Sequence, residues 1–162
     1  MILDKHTADK KLRRMALEVA ERNYENKEII LIGIKENGIF IAQKIEAYLL
    51  EVFPGFVRVI SLEIDKKNPG EIKLSEETDF NNKTILLIDD VANSGRTMLY
   101  ALKPLLQQHP RQIQTLALVE RTHKQFPIDV NYVGLSVSTT LQENIVVDVE
   151  GGEVLGARLE NN

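Results

Sequence analysis

The stretch Ile85-Leu86-Leu87-Ile88-Asp89-Asp90-Val91-Ala92-Asn93-Ser94-Gly95-Arg96-Thr97 decides the fold. Ile85 to Ile88 form an unbroken run of Ile and Leu without polar alternation, the pattern of a strand covered on both faces, as in a parallel sheet flanked by helices. Two adjacent acids end the run, a turn of small residues follows, and a helical period starts at Arg96 and continues through Leu106 until His109-Pro110 stops it. In open α/β sheets ligands bind beyond the carboxyl ends of strands, and the exposed N–H groups of a helix amino terminus suit phosphate. Ala92 to Thr97 can therefore cradle a phosphate: Gly95 permits close backbone approach, and the Ser94 and Thr97 hydroxyls can donate to its oxygens. Neighbouring carboxylates repel if buried without partners, so Asp89 and Asp90 suit polyol hydroxyls, a metal ion, or both. The plainer alternative is a strand that ends in two solvated acids before an N-capped helix. The ordered combination is more specific than either piece.

Working outward, Leu12, Met15, Ala16, Val19 and Ala20 recur at helical spacing and predict an amphipathic helix over Ala8 to Asn23. Glu28 to Ile34 reads as a central strand. Gly38 opens a second helical stretch, Ile39 to Val52, which Pro54-Gly55 ends before a β-rich run, Val57 to Ile64. Lys66 to Asn82 is polar, carries Pro69-Gly70 and has no sustained period, so it reads as a loop or short hairpin. Lys83 to Asp90 is the next strand, and Thr115 to Val119, Tyr132 to Val133 and a final run, Ile145 to Val149, are expected to complete the sheet. Strands alternating with helices imply an α/β fold with a mostly parallel sheet and right-handed crossovers.

Composition narrows the class. The chain has 162 residues, 43% hydrophobic and 6% aromatic, which fits one domain spanning positions 1–162. It has no cysteine, so disulfide and thiolate chemistry are excluded and a reducing compartment suits it. The amino terminus lacks a signal-like apolar segment, and no run is long enough to span a bilayer, so a soluble cytoplasmic protein without membrane contact is expected. A net charge of −4 argues against generic attraction to nucleic acid, while a local basic patch stays open.

Ile85 to Thr97 resembles the phosphoribosyl-diphosphate signature of type I phosphoribosyltransferases. The segments ILD (Ile2 to Asp4), AERN (Ala20 to Asn23), LIGIKENGIFIAQKI (Leu31 to Ile45), LALVERTHKQFPI (Leu116 to Ile128) and NYVGLSVST (Asn131 to Thr139) are similar, in order, to the PyrR family. That family combines uracil phosphoribosyltransferase activity with regulation of pyrimidine operons through messenger RNA. The resemblance implies the type I phosphoribosyltransferase fold, a mostly parallel central sheet flanked by helices with a small hood region. It implies that Asp89 and Asp90 contact the ribose hydroxyls of phosphoribosyl diphosphate (PRPP), with Mg²⁺ held mainly by the substrate's own oxygens and reached by the two acids indirectly. Val91, Ala92, Asn93, Ser94, Gly95, Arg96 and Thr97 would hold the 5′-phosphate. Ile34, Lys35, Glu36, Asn37 and Gly38 match the short diphosphate-binding loop. Arg121, Tyr132 and Val133 match the base-recognition region, with Tyr132 flanking the ring and Val133 offering backbone hydrogen bonds; taken alone, Tyr132 reads as core. Uracil, UMP and a homo-oligomer, dimer or larger, are the implied partners.

Four departures shape this expectation. Asn93 stands where many purine enzymes carry an aspartate, and an amide cannot act as a general base. Glu120 stands where oxopurine enzymes place a lysine that donates to the exocyclic oxygen, which a carboxylate would repel. Both point away from hypoxanthine and guanine. The loop after Ile64 is shorter than in the family and lacks its Tyr-Arg pair, although Lys66 and Lys67 can partly substitute. Of the basic face implied for RNA, Arg14, Arg22, His123 and Lys124 are present, while Leu17 and Leu135 replace family cations. Two readings stay open: a uracil phosphoribosyltransferase, or a nucleotide-sensing regulator that kept the pocket and lost turnover.

Overall fold

The computed structural model describes residues 1–140 and 142–161. Its elements run β1 (Leu3–Asp4), α1 (Lys5–Arg22), β2 (Glu28–Ile34), α2 (Gly38–Val52), β3 (Phe56–Glu63), β4 (Lys73–Leu74), β5 (Thr84–Ala92), α3 (Arg96–Leu105), β6 (Gln112–Arg121), β7 (Tyr132–Val137), β8 (Glu143–Glu150) and β9 (Glu153–Asn161). Six strands form the main sheet in the order β4-β3-β2-β5-β6-β7, parallel throughout except for the short β4, which pairs antiparallel with the end of β3.

Side-chain alternation along the strands builds a core on each face of this sheet. Ile29 and Leu31 of β2 and Leu86 and Ile88 of β5 pack with Leu12, Met15 and Val19 of α1 and Ile41, Ile45 and Leu49 of α2. Their neighbours Ile30, Ile32, Ile85 and Leu87 face the other way, onto Met98, Ala101 and Leu105 of α3 and onto Phe80. Each such Ile, Leu, Val, Met or Phe side chain, fully withdrawn from water, contributes about 1.5–3 kcal/mol. This double burial explains the unalternating apolar runs of β2 and β5. Helix α1 begins at Lys5, earlier than periodicity suggests, because Asp4 caps it by accepting from the Thr7 N–H at 2.8 Å.

The expectation that Ile145 to Val149 completes the main sheet is corrected. That run lies in β8, which pairs with β9, and β9 with β1, in a separate three-stranded antiparallel sheet. The cause is the turn between Glu150 and Glu153, where Gly151 and Gly152 have φ of +59° and +81°, a two-residue hairpin turn that sends the chain straight back. Ile145, Val147, Val154 and Ala157 bury their side chains against the α1–α2 layer, so this small sheet sits as a hood over one end of the domain. The strand expected at Tyr132 to Val133 extends to Val137. The Lys66 to Asn82 segment holds the short hairpin strand β4. Among the described residues, no helix is long and apolar enough to cross a membrane.

Topology opens a crevice at one end of the sheet. From β2 the chain crosses through α2 to β3 on one side, whereas β5, β6 and β7 follow one another on the other side. The loops leaving β2 and β5 therefore diverge, and the crevice opens at their carboxyl ends.

Candidate active site

Asp89 and Asp90 occupy that crevice. Asp89 is 1% exposed and Asp90 8%, so neither is the solvated strand end of the plainer reading. The Asp89 carboxylate accepts from the Asp90 N–H at 2.9 Å, and the Asp90 carboxylate from the Val91 N–H at 2.8 Å. Burial first, and the negative charge of Asp90 second, push the Asp89 carboxyl well above the usual carboxylate range, while Lys66 pulls the other way. The Lys66 ammonium lies 3.3 and 3.4 Å from the two Asp89 oxygens and 3.9 Å from Asp90 Oδ1. Burial lowers its proton affinity, but the two carboxylates and the hydrogen bond to Asp89 outweigh this and raise it above the ordinary lysine value.

Val91 to Thr97 line the same cleft, of about 240 Å³, together with Asn37, Lys66, both acids and Ile145 to Val147 of β8. Backbone and packing fix the shape of this loop. Gly95 has φ +86°, and a Cβ there would meet Ile128 Cγ2 at 2.5 Å, so both backbone and packing demand glycine. The Ser94 carbonyl accepts from the Gln125 and Phe126 N–H groups, each at 3.0 Å, which braces the loop from outside. Ser94 Oγ accepts from the Arg96 N–H at 3.2 Å, which leaves its proton to donate to a ligand. The buried Asn93 Oδ1 has no partner among the described residues, an acceptor available to a ligand N–H or O–H.

The loop leaving β2 adjoins this centre. Gly38 starts α2 so close to β5 that a Cβ would meet the Ile88 carbonyl at 2.8 Å and Asp89 Cα at 3.1 Å. The Lys35 N–H donates to the Leu62 carbonyl at 2.8 Å, and the Lys35–Glu36 peptide is cis. Asn37, at the helix cap, donates its side-chain amide to the Val147 carbonyl at 3.2 Å instead of capping α2, so it ties the loop to the hood. Lys35, Glu36, Asn37, Asp65, Lys66, Lys67 and Asp90 line a second cleft of about 420 Å³ beside the first. Ile34 stays buried in the strand core.

The base-recognition group is where the expected site comes apart. Tyr132 is fully buried in the α1 layer; its hydroxyl donates to Gln114 Oε1 at 2.7 Å and accepts from Asn23 Nδ2 at 3.3 Å. The Arg22 guanidinium lies 4.9 Å from its ring centre. The reading of Tyr132 as flanking a base is therefore corrected: its register on β7 turns the ring away from the cleft. The Val133 side chain packs in the α3-side core, and its carbonyl accepts from Arg14 Nη2 at 3.1 Å. Arg121 donates to the carbonyls of Glu143 at 2.5 Å and Thr140 at 3.5 Å and so ties the end of β6 to the start of β8. The Arg121 Nε and Thr139 Oγ1 have no partner among the described residues. Sequence reasoning missed Ile145 to Val147 as cleft-lining residues; the Gly151-Gly152 pair, a hairpin signal, would have marked β8 as one arm of a hood.

Of the cations expected for RNA, Arg14 pairs with Glu18 at 2.7 Å, Arg22 covers Tyr132, and Lys124 pairs with Glu120. The second Glu120 oxygen accepts from Ser136 Oγ at 2.8 Å. Among the described residues no three His, Cys, Asp or Glu side chains converge into a metal cage. Two hard carboxylates in an open cleft nevertheless fit Mg²⁺, which takes one or two protein carboxylates and completes its shell with ligand oxygens and water.

Comparisons with known proteins agree with this geometry. The phosphoribosyl transferase domain family matches residues 1–150. Curated relatives include the Bifunctional protein PyrR of Enterococcus faecalis, 34% identical over 158 residues, covering 92% of this chain and 89% of the relative. That of Macrococcus caseolyticus is 30% identical over 156 residues, covering 91% and 90%. Among solved structures, the hypoxanthine phosphoribosyltransferase of Trypanosoma cruzi superposes with a TM-score of 0.80 at 14% identity, covering 99% of this chain and 97% of that one. A hypoxanthine-guanine phosphoribosyltransferase of Bacillus anthracis gives 0.71 at 19% identity, covering 90% and 85%. At such identities the structural likeness is one of fold.

Proposed function

Because this chain belongs to the phosphoribosyl transferase domain family and has the type I fold, we propose that it transfers the phosphoribosyl group of PRPP to uracil, giving UMP and diphosphate. The chain is a PyrR-like phosphoribosyltransferase; the choice of base and the roles of the residues are our reading. The observation that carries it is the buried Asp89–Asp90 pair in one cleft with the phosphate-type loop Val91 to Thr97.

In this reading a base nitrogen displaces diphosphate from C1 of the ribose through a transition state with oxocarbenium character. Asp89 and Asp90 accept from the ribose hydroxyls and lie close to the positive charge that develops on the sugar. Val91 to Thr97 hold the 5′-phosphate with backbone N–H groups and the Ser94 and Thr97 hydroxyls, which fixes the sugar while C1 moves. The Lys35 to Gly38 loop and the start of α2 present donors to the leaving diphosphate. Mg²⁺, when bound with the substrate, neutralises part of the diphosphate charge. Uracil is favoured because Glu120 is a carboxylate already committed to Lys124 and Ser136, so it offers no donor to an oxopurine.

The test is an assay of purified protein with PRPP and Mg²⁺ against uracil, hypoxanthine, guanine and xanthine in parallel, with Asp90→Asn as control. UMP that forms in the wild type and disappears in the control is the expected result. Formation of inosine or guanosine monophosphate without UMP overturns the base. No product from any base, with nucleotide still bound, replaces the enzyme by the nucleotide-sensing reading. Oligomerisation and a cytoplasmic setting accompany the proposal. RNA recognition is the weaker part, since Arg14, Arg22 and Lys124 are engaged within the molecule; a pyrimidine leader transcript that binds only with nucleotide present would restore it.

A further inference from the structure

Among the described residues, Lys66 is the one cation that lines both the sugar-side cleft and the neighbouring cleft of the diphosphate-type loop. Its backbone is fixed: Ile64 before it is buried, and Asp65 accepts from the N–H groups of Lys67 at 3.0 Å and Asn68 at 3.3 Å. Its side chain is 41% exposed, while the carboxylate it meets on Asp89 is 1% exposed. A buried carboxylate stripped of its counter-charge is costly, so something positive or proton-donating must stand beside Asp89 at all times. In the chain alone that partner is Lys66.

We propose that Lys66 is an exchangeable counter-ion, which neutralises the Asp89–Asp90 pair in the ligand-free chain and turns onto the diphosphate oxygens of an arriving phosphoribosyl diphosphate in the adjoining cleft. The exchange needs no backbone movement, because Lys66, Asn37 and Asp90 are common to both clefts. Once sugar hydroxyls donate to the carboxylates, the ammonium loses its reason to stay there, and the diphosphate offers it two or more anionic oxygens. A ligand with a 5′-phosphate and ribose but no diphosphate gives the ammonium no second partner, so it must compete with Lys66 for Asp89. Lys66 thus becomes a positioning residue that favours the diphosphate-bearing substrate over the monophosphate product at the same site.

The inference rests on the reading of this centre as a PRPP site, and one calorimetric experiment separates the two. Wild type, Lys66→Met and Lys66→Arg are each titrated, with Mg²⁺, with PRPP and with UMP. Exchange predicts that Lys66→Met binds PRPP at least about tenfold more weakly, the loss of one charge-assisted contact. It predicts that the same variant binds UMP as tightly as wild type or more so, and that Lys66→Arg recovers most of the PRPP affinity. A Lys66→Met protein that loses both ligands to the same degree, or neither, overturns the exchange while leaving the PRPP site intact. Wild type that binds no PRPP overturns the site itself. Parallel melting curves identify a variant that fails through unfolding, in which case Lys66→Gln is titrated in its place and judged by the same ratio.

Discussion

Replacing Asp89 by asparagine should abolish phosphoribosyl transfer and yet make the protein more stable. The carboxylate is 1% exposed, and among the described residues only one N–H, that of Asp90, and the Lys66 ammonium at 3.3 Å oppose its desolvation. Lys66 is itself 41% exposed, so solvent screens much of its attraction, and Asp90 adds repulsion. The effective penalty of an ion so buried is several kcal/mol before compensation. After compensation, about 1–3 kcal/mol of destabilisation remains at neutral pH, which the isosteric amide removes while its Oδ1 still accepts from Asp90. At about 2–4 °C per kcal/mol for a chain of this size, the variant should melt about 2–12 °C above wild type. The pH dependence carries a definite sign. Asp89 has a raised carboxyl pKa in the folded state, so its favourable contribution is present below the unfolded value near 3.9 and is lost as pH rises through the folded value. The advantage of Asp89→Asn is therefore largest at pH 8 and shrinks as the pH falls towards the ordinary carboxylate range. Differential scanning calorimetry between pH 8 and 5 measures it. A variant that melts at or below wild type at pH 8, or an advantage that does not change with pH, refutes the account of Asp89 as a strained, functional carboxylate.

Gly95→Ala should raise the KM for PRPP at least about tenfold and lower the melting temperature by several degrees, since a φ of +86° costs an L-residue about 1–2 kcal/mol and the new methyl meets Ile128; steady-state kinetics with unchanged KM would contradict it. Tyr132→Phe should cost about 1–2 kcal/mol by leaving Gln114 and Asn23 without the hydroxyl, yet leave the KM for base unchanged, because the ring lies beneath α1. A large change in KM without a loss of stability would return Tyr132 to the site. Arg121→Ala frees the Thr140 and Glu143 carbonyls that it holds, and the expected result is a KM for base raised about tenfold with the KM for PRPP changed less than threefold; equal effects on both would mean that Arg121 acts on the whole fold.

The sequence by itself determined whatever depends on near neighbours. The runs in β2 and β5 state their double burial, because every residue of a strand sandwiched between helices needs an apolar side chain. Asp89 to Thr97 likewise carries its own local geometry, since the strand end, turn and helix start proposed to hold a phosphate are consecutive in the chain. Only the tertiary structure decided which distant groups meet there. Lys66 reaches Asp89 across 23 positions, Asn37 reaches Val147 across 110, and Arg121 holds Glu143 across 22. None of these contacts leaves a period or a motif, because each depends on the packing of separate elements rather than on a local preference. Tyr132 and Val133 show the same limit from the other side. Tyr132 and Val133 lie in a β-rich run whose local pattern does not say which face looks into the cleft, and the register of β7 against β6 turned one under α1 and the other onto the α3 layer. The hood follows this logic too: Gly151-Gly152 writes the hairpin into the sequence, but that β8 leaves the main sheet and closes over the cleft follows from where Ile145, Val147 and Val154 find apolar surface to bury.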